Sequence, residues 1–311
     1  MRKRVWYELE GIFKTNLEKN YFIHNFVCKG KEKMIIRQPA VAGMFYHLNS
    51  EMLKKQIKSC IDHKLGPKRI EEEKFIATVV PHAGYAYSGP VAAWSYSRIP
   101  KCNYIILGPN HSGFGSRFGM MREGAWKTPM GSVKIDEIVT KKIIESCPLL
   151  EYDILSHESE HSIEVQLPFL QYRFGNDFKF VPICVMNEFP SFDFLDECKA
   201  VGKSIANVIK KEKKKWIIIA SSDFSHYIPY EDAYSIDNYV IDGILKLNEK
   251  DFFLRLQEKN ASVCGFGPIA IAMIASKELG AKKGKLLCYK TSGDVTHDKT
   301  AVVGYSSLLF I

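Results

Sequence analysis

Three histidines of this 311-residue chain each follow a short apolar run. His82 comes after residues 75–80 (FIATVV) and Pro81. His111 comes after residues 104–107 (YIIL), Gly108, Pro109 and Asn110. His226 ends the stretch SSDFSH, which follows residues 216–220 (WIIIA). Neutral imidazole is the commonest metal ligand, and it carries protons near neutral pH. Short β-branched runs bounded by Gly or Pro predict strands buried on both faces. Pro81 cannot donate to a sheet ladder and so ends its strand. Open α/β sheets place ligands in the crevice outside the carboxyl ends of their strands. The same order met three times therefore predicts one site. A lone loop histidine reads as bonded to the backbone, whereas His82 and His111 at equivalent positions point to a metal.

Cys264 is the third element. Gly265, Gly267 and Pro268 mark a tight turn that opens an apolar helix. Unpaired N–H groups at a helix start favour a thiolate, which suits a metal ligand or a nucleophile. Packing is the competing reading, as for Cys60, Cys102 and Cys184. Asp223 and His226 face the same crevice, and are read as an orienting carboxylate and a general acid or base. His161 opens a helix one turn before Glu164, so capping and a pocket role both stay open. Asp294, His297 and Asp298 read as a hairpin-like connection rather than a site.

The elements that must position these residues alternate. Helices are expected over 51–63, 88–96 (the crossover helix, opened by Gly89-Pro90), 136–146, 162–174, 194–211, 230–247, 251–258 and 268–279. Between them lie the three runs above and further strands at 178–185, 285–289 and 300–309. Residues 112–130 read as a long loop or hairpin excursion. This pattern predicts a single α/β domain over 34–311, with a mixed, mainly parallel sheet and helices on both faces.

Residues 1–33 read as an extension, with a short amphipathic helix at 5–17 and an aromatic-rich run at 21–27; in the alternative reading Met34 is the true start. They carry eight Lys or Arg against four Glu, half of the net charge of +8. The remaining excess is thin outside residues 210–215 (KKEKKK), a solvated helix end. No basic stripe interleaved with aromatics is present, which argues against a nucleic-acid surface. Residues 260–276 are interrupted by Gly265, Gly267 and Pro268, too short and broken for a membrane span. Eight cysteines without a CxxC pair fit reduced thiols and a cytoplasmic location.

The chain resembles the Memo family, also called AmmeMemoRadiSam system protein B. The matching stretches are QPAVAGMFY (38–46), PHAGYAYSGP (81–90), ILGPNH (106–111), EHSIEVQLPFL (160–170), SSDFSH (221–226), CGFGP (264–268) and TSGDVTHDKTAVVGY (291–305). His297 stands where a small residue is expected. The resemblance implies the fold of class III extradiol dioxygenases, a non-haem iron group. It implies a metal held by His82, His111 and Cys264, with Asp223 and His226 as further pocket residues. Cys264 stands where the dioxygenases use a carboxylate. A thiolate favours iron(II) or copper, with zinc as an alternative, and argues against ring cleavage. A metal-dependent oxidoreductase is the first expectation. A binding protein taking a phosphopeptide or anionic small molecule in the same pocket is the second, and a zinc hydrolase the third. The resemblance also suggests AMMECR-type and radical-SAM proteins as partners.

Overall fold

The computed structural model describes residues 34–311, so the expected helix at 5–17 and the aromatic run at 21–27 lie outside the described residues. Twelve strands are present among the described residues: β1 (Ile36–Arg37), β2 (Ala77–Val80), β3 (Asn103–Pro109), β4 (Phe118–Met120), β5 (Ala125–Thr128), β6 (Gly131–Ile135), β7 (Glu151–Tyr152), β8 (Lys179–Val185), β9 (Trp216–Ser221), β10 (His226–Ile228), β11 (Gly284–Thr291) and β12 (Val302–Phe310). They form one sheet in the order β1-β5-β6-β8-β3-β9-β2-β12-β10. β11 is added on β12, and β4 lies between β8 and β7. The centre, β6-β8-β3-β9-β2, is parallel, and β12 closes it antiparallel to β2. The expected mixed, mainly parallel sheet is what the chain builds.

Alternation along the central strands supplies two cores. Ile105, Leu107, Val181, Ile183, Ile218 and Ala220 join one cluster, under the helices Phe192–Ile209 and Phe266–Glu278. Tyr104, Ile106, Phe180, Ile217 and Ile219 join the other, under Ser50–Asp62, Tyr85–Arg98 and Leu167–Phe174. Both faces are buried, so the runs read as continuously apolar. Each Ile, Leu or Val buried there contributes about 1.5–3 kcal/mol. The helix Phe266–Glu278 is buried continuously from Phe266 to Ser276, as a helix apolar all round must be.

Two expectations change in detail. The crossover helix runs Tyr85–Arg98, with Gly89 and Pro90 inside it rather than opening it. A β-carbon at Gly89 would strike Cys60 on the helix Ser50–Asp62, so this glycine serves helix packing. The connection after β11 is a short helix, Ser292–Thr296, opened by a capping box between Thr291 and Asp294. His297 ends it at φ +66°, the left-handed region where Gly or Asn is usual, which accounts for the expected small residue.

Candidate metal centre

In the sheet β9 lies between β2 and β3. His82 stands two residues past β2, Asp223 two past β9 and His111 two past β3. Topology therefore delivers all three to one end of adjacent strands. The His82 and His111 rings lie 5.1 Å apart, edge to face. Cys264 immediately precedes Gly265, the N-cap of the helix Phe266–Glu278. A β-carbon at Gly265 would strike the Ser221 carbonyl and the Ser222 side chain, so only glycine lets this turn close on β9. The closure brings Cys264 Sγ to 3.2 Å from His82 Nε2. One ligand atom from each of His82, His111 and Cys264 lies within 4.8 Å of the others. Separations of this size suit one ion with bonds of about 2.0–2.3 Å.

His82 and His111 line a pocket of about 600 Å³ together with His161, Asp223, His226, Tyr87 and Tyr305, and Cys264 adjoins it through His82. Ser292, Thr296 and Asp298 line it too, so the connection between β11 and β12 contributes a pocket wall. A cleft of about 760 Å³ lies at the amino ends of the strands, among Lys101, Lys179 and Lys215, away from these groups.

Burial, then the charges of His111 and His161, hold His82 well below the ordinary imidazole value, so it is neutral at pH 7. That is the state a ligand requires. His111 behaves oppositely. Burial lowers it, but the hydrogen bond and charge of Glu160 outweigh burial, and the net shift is upward. Glu160 Oε1 lies 3.0 Å from His111 Nδ1 and accepts from the His161 and Ser162 backbones at 2.8 Å; Oε2 accepts from His111 N at 2.5 Å. Burial raises its carboxyl, but these partners outweigh it and draw it down to about 2. His111, Glu160 and His161 also lie close enough to form a second metal cluster. The oxygens of Glu160 are already occupied by four donors, so we assign Glu160 to holding His111 rather than to a metal.

Asp223 Oδ1 accepts from His82 N at 2.8 Å, and Oδ2 lies 3.9 Å from His82 Nε2. Burial pushes its carboxyl up to about 6, against smaller lowering effects from the backbone donor of His82 and the charge of His226. His226 Nδ1 lies 2.8 Å from the carbonyl oxygen of Ser262, so Nδ1 carries the proton and Nε2 is left for the pocket. The orienting bond expected from Asp223 thus comes from Ser262. A register shift between His226 and Ile228, with Tyr227 at φ +56°, turns His226 inward.

Burial pushes the Cys264 thiol up, and the charge of Asp223 adds to this. The Asp223 N–H, 3.2 Å from Sγ, pulls the other way without prevailing. A helix start alone does not make this thiolate; a bound cation would. Asn187 fixes the turn by donating to the Cys264 carbonyl at 2.5 Å.

His161, left open between capping and pocket, is in the pocket. Its ring stacks on His111 at 4.8 Å and meets Phe45 at the same distance. His157 is a core residue instead: its Nε2 lies 3.2 Å from the Gly119 carbonyl, and its ring packs on Trp126. Glu164, fully buried, accepts from Arg37 at 2.6 Å, Ala40 N at 2.7 Å, Val41 N at 3.1 Å and Tyr46 Oη at 2.6 Å. This clamp draws residues 37–46 over the helices and sets Phe45 at the pocket edge.

Among known proteins, a family model described as "Memo-like protein" matches residues 37–309. A MEMO1 family protein of Methanococcoides burtonii is 46% identical over 275 residues, covering 88% of this chain and 99% of its own length. One from Methanopyrus kandleri is 42% identical over 283 residues, covering 88% and 98%. Among solved structures, the uncharacterized protein JW3007 from Escherichia coli K12 is similar in fold, with a TM-score of 0.51 at 13% identity, over 76% of this chain and 100% of that one. The family model runs from Arg37 in β1 to Leu309 in β12, both relatives cover 88% of the chain, and the chain belongs to the Memo-like family.

Proposed function

We propose that this protein binds one metal ion through His82, His111 and Cys264, and that it is a metal-dependent oxidoreductase related to the non-haem dioxygenases. The observation that carries this is the convergence of two imidazoles and one thiol within 4.8 Å, where His82 and His111 line the pocket. The donor set fits a borderline-soft ion, so iron(II) or copper is the first choice and zinc the alternative. A bound ion supplies a Lewis-acid centre and, with iron or copper, one-electron chemistry.

The other steps belong to the chain. His82 presents a neutral imidazole nitrogen, and His111, which Glu160 favours in the charged form, must give up its Nε2 proton to bind an ion. His226, with Nδ1 tied to Ser262, accepts or returns a proton at Nε2. Asp223 places a negative charge beside the ligand atoms when its carboxyl is ionised. Tyr87 and Tyr305, with Phe45, shape a space for a small or peptide ligand. AMMECR-type and radical-SAM proteins are the partners we propose from the family resemblance.

Metal analysis and oxygen uptake on protein purified without oxygen test this reading. Stoichiometric iron or copper with oxygen uptake is the expected result. Absence of metal together with tight binding of an anionic ligand would replace it with the binding-protein reading. That alternative draws support from His111, which lines the pocket and which Glu160 favours in the charged, donating form.

A further inference from the structure

Both imidazoles proposed as ligands are backed, away from Cys264, by one buried segment, residues 160–166. For His111 the backing is direct, because ionised Glu160 can only accept and so requires the proton on His111 Nδ1. For His82 it follows by elimination. His82 Nδ1 lies 2.8 Å from Ser221 Oγ, a hydroxyl with one proton and two acceptor positions. The proton goes to the Ser162 carbonyl at 2.7 Å, which cannot donate. One acceptor position takes Gln166 Nε2 at 2.8 Å. The Gln166 amide cannot be turned over, because Nε2 also lies 3.1 Å from the Pro81 carbonyl. Tyr96 donates to its Oε1 at 2.5 Å. One acceptor position is left on Ser221, and His82 Nδ1 must donate into it.

We propose that residues 160–166 hold both ligand histidines in the Nδ1–H tautomer, His111 through Glu160 and His82 through the relay Tyr96–Gln166–Ser221. Ser221 and Gln166 are then positioning residues for the metal; this role rests on the metal reading above. The relay is needed because the other tautomer of His82 has partners of its own. With the proton on Nε2, the ring could donate to Cys264 Sγ at 3.2 Å, or toward Asp223 Oδ2 at 3.9 Å. That arrangement would hide the lone pair the metal requires. Ser221 sits at the end of β9, next to the end of β2 in parallel register, so its hydroxyl is fixed by the sheet itself.

The test is nitrogen-15 NMR of the histidines in full-length, metal-free protein, followed by zinc titration. At a pH where both rings are neutral, wild-type protein is expected to show Nδ1–H for His82 and His111. Ser221→Ala should move His82 toward Nε2–H, leave His111 unchanged and weaken zinc binding about 10–100-fold. Ser221→Thr keeps the hydroxyl and should restore both readouts. An Nε2–H His82 in the wild type overturns the assignment, and that spectrum decides it even if Ser221→Ala folds poorly. A switched tautomer with unchanged zinc affinity overturns the positioning role. Wild-type protein with the expected tautomers but no affinity for zinc, iron or copper overturns the metal reading instead.

Discussion

Asp223→Asn should stabilise the metal-free protein at pH 8 and have little effect at pH 4. The carboxyl is 4% exposed and its folded value stands at about 6 against an ordinary 3.8. The difference is about 2 units, or roughly 3 kcal/mol at about 1.4 kcal/mol per unit. The sign follows from where the proton is held more tightly. Between pH 3.8 and about 6 the folded protein keeps a proton that the unfolded chain has lost, so stability falls as pH rises through this window. Above it, the full 3 kcal/mol has gone. Asparagine cannot ionise, and its carbonyl can still accept from His82 N, the bond made by Oδ1 at 2.8 Å. The variant should therefore melt roughly 5–10 °C above wild type at pH 8. Calorimetry of chelator-treated protein at both pH values reads this directly. A gap that is absent at pH 8, or the same at pH 4, would refute the reasoning. Metal should close the gap, since a cation beside Asp223 favours the carboxylate that asparagine lacks.

Cys264→Ser should weaken zinc binding by more than about 100-fold, as loss of a ligand exceeds loss of a ligand's support. Cys60→Ser and Cys184→Ser, in the core, should lower the melting temperature and leave affinity alone. Because burial holds the Cys264 thiol protonated, zinc binding by wild type should also strengthen about tenfold per pH unit between pH 7 and 8, and titration calorimetry of Cys264→Ser should show this slope lost. Arg37→Met strips the guanidinium from buried Glu164 and should destabilise by about 3–5 kcal/mol in urea unfolding. A chain beginning at Met34 should unfold cooperatively near the full-length melting temperature; aggregation would overturn the reading of residues 1–33 as a dispensable extension.

The strands and their histidines were legible because the signal is local. A both-faces-buried strand must be a continuous apolar run, and the residues after its end must turn, so 75–82, 104–111 and 216–226 carry their own punctuation. Cys264 was legible for the same reason, through its glycines. What supports these residues was not. Ser221 and His82 are 139 positions apart, and Glu160 and His111 are 49 apart. Their pairing depends on β9 lying between β2 and β3, which no local pattern encodes. A buried Glu160 and an exposed glutamate look alike in sequence. The orienting partner of His226 was misplaced because proximity in the chain favoured Asp223, while the fold offers the Ser262 carbonyl. The crossover helix was started late because Gly89-Pro90 resembles a helix opening, whereas Gly89 is there for Cys60.

Three buried carboxylates near the pocket, Glu164, Glu160 and Asp223, differ in how completely the protein neutralises them, and the difference points at the metal. Glu164 has a guanidinium, a phenol and two backbone donors. Glu160 has three backbone donors and the ring N–H of His111, enough to hold it ionised at about 2. Asp223 has backbone donors from His82 and Ala83 and, among the described residues, no Lys or Arg in contact, and its carboxyl is pushed up to about 6. A buried carboxylate left in this state costs stability unless a positive charge arrives. The neighbours of Asp223 are His82 Nε2 and Cys264 Sγ, the two atoms that a cation would share. A divalent ion there would offset the charge of Asp223 and of the Cys264 thiolate together, lowering both pKa values at once. The pocket thus stores its electrostatic penalty at the one carboxylate that a bound metal would relieve, and Asp223→Asn measures that penalty with the metal removed.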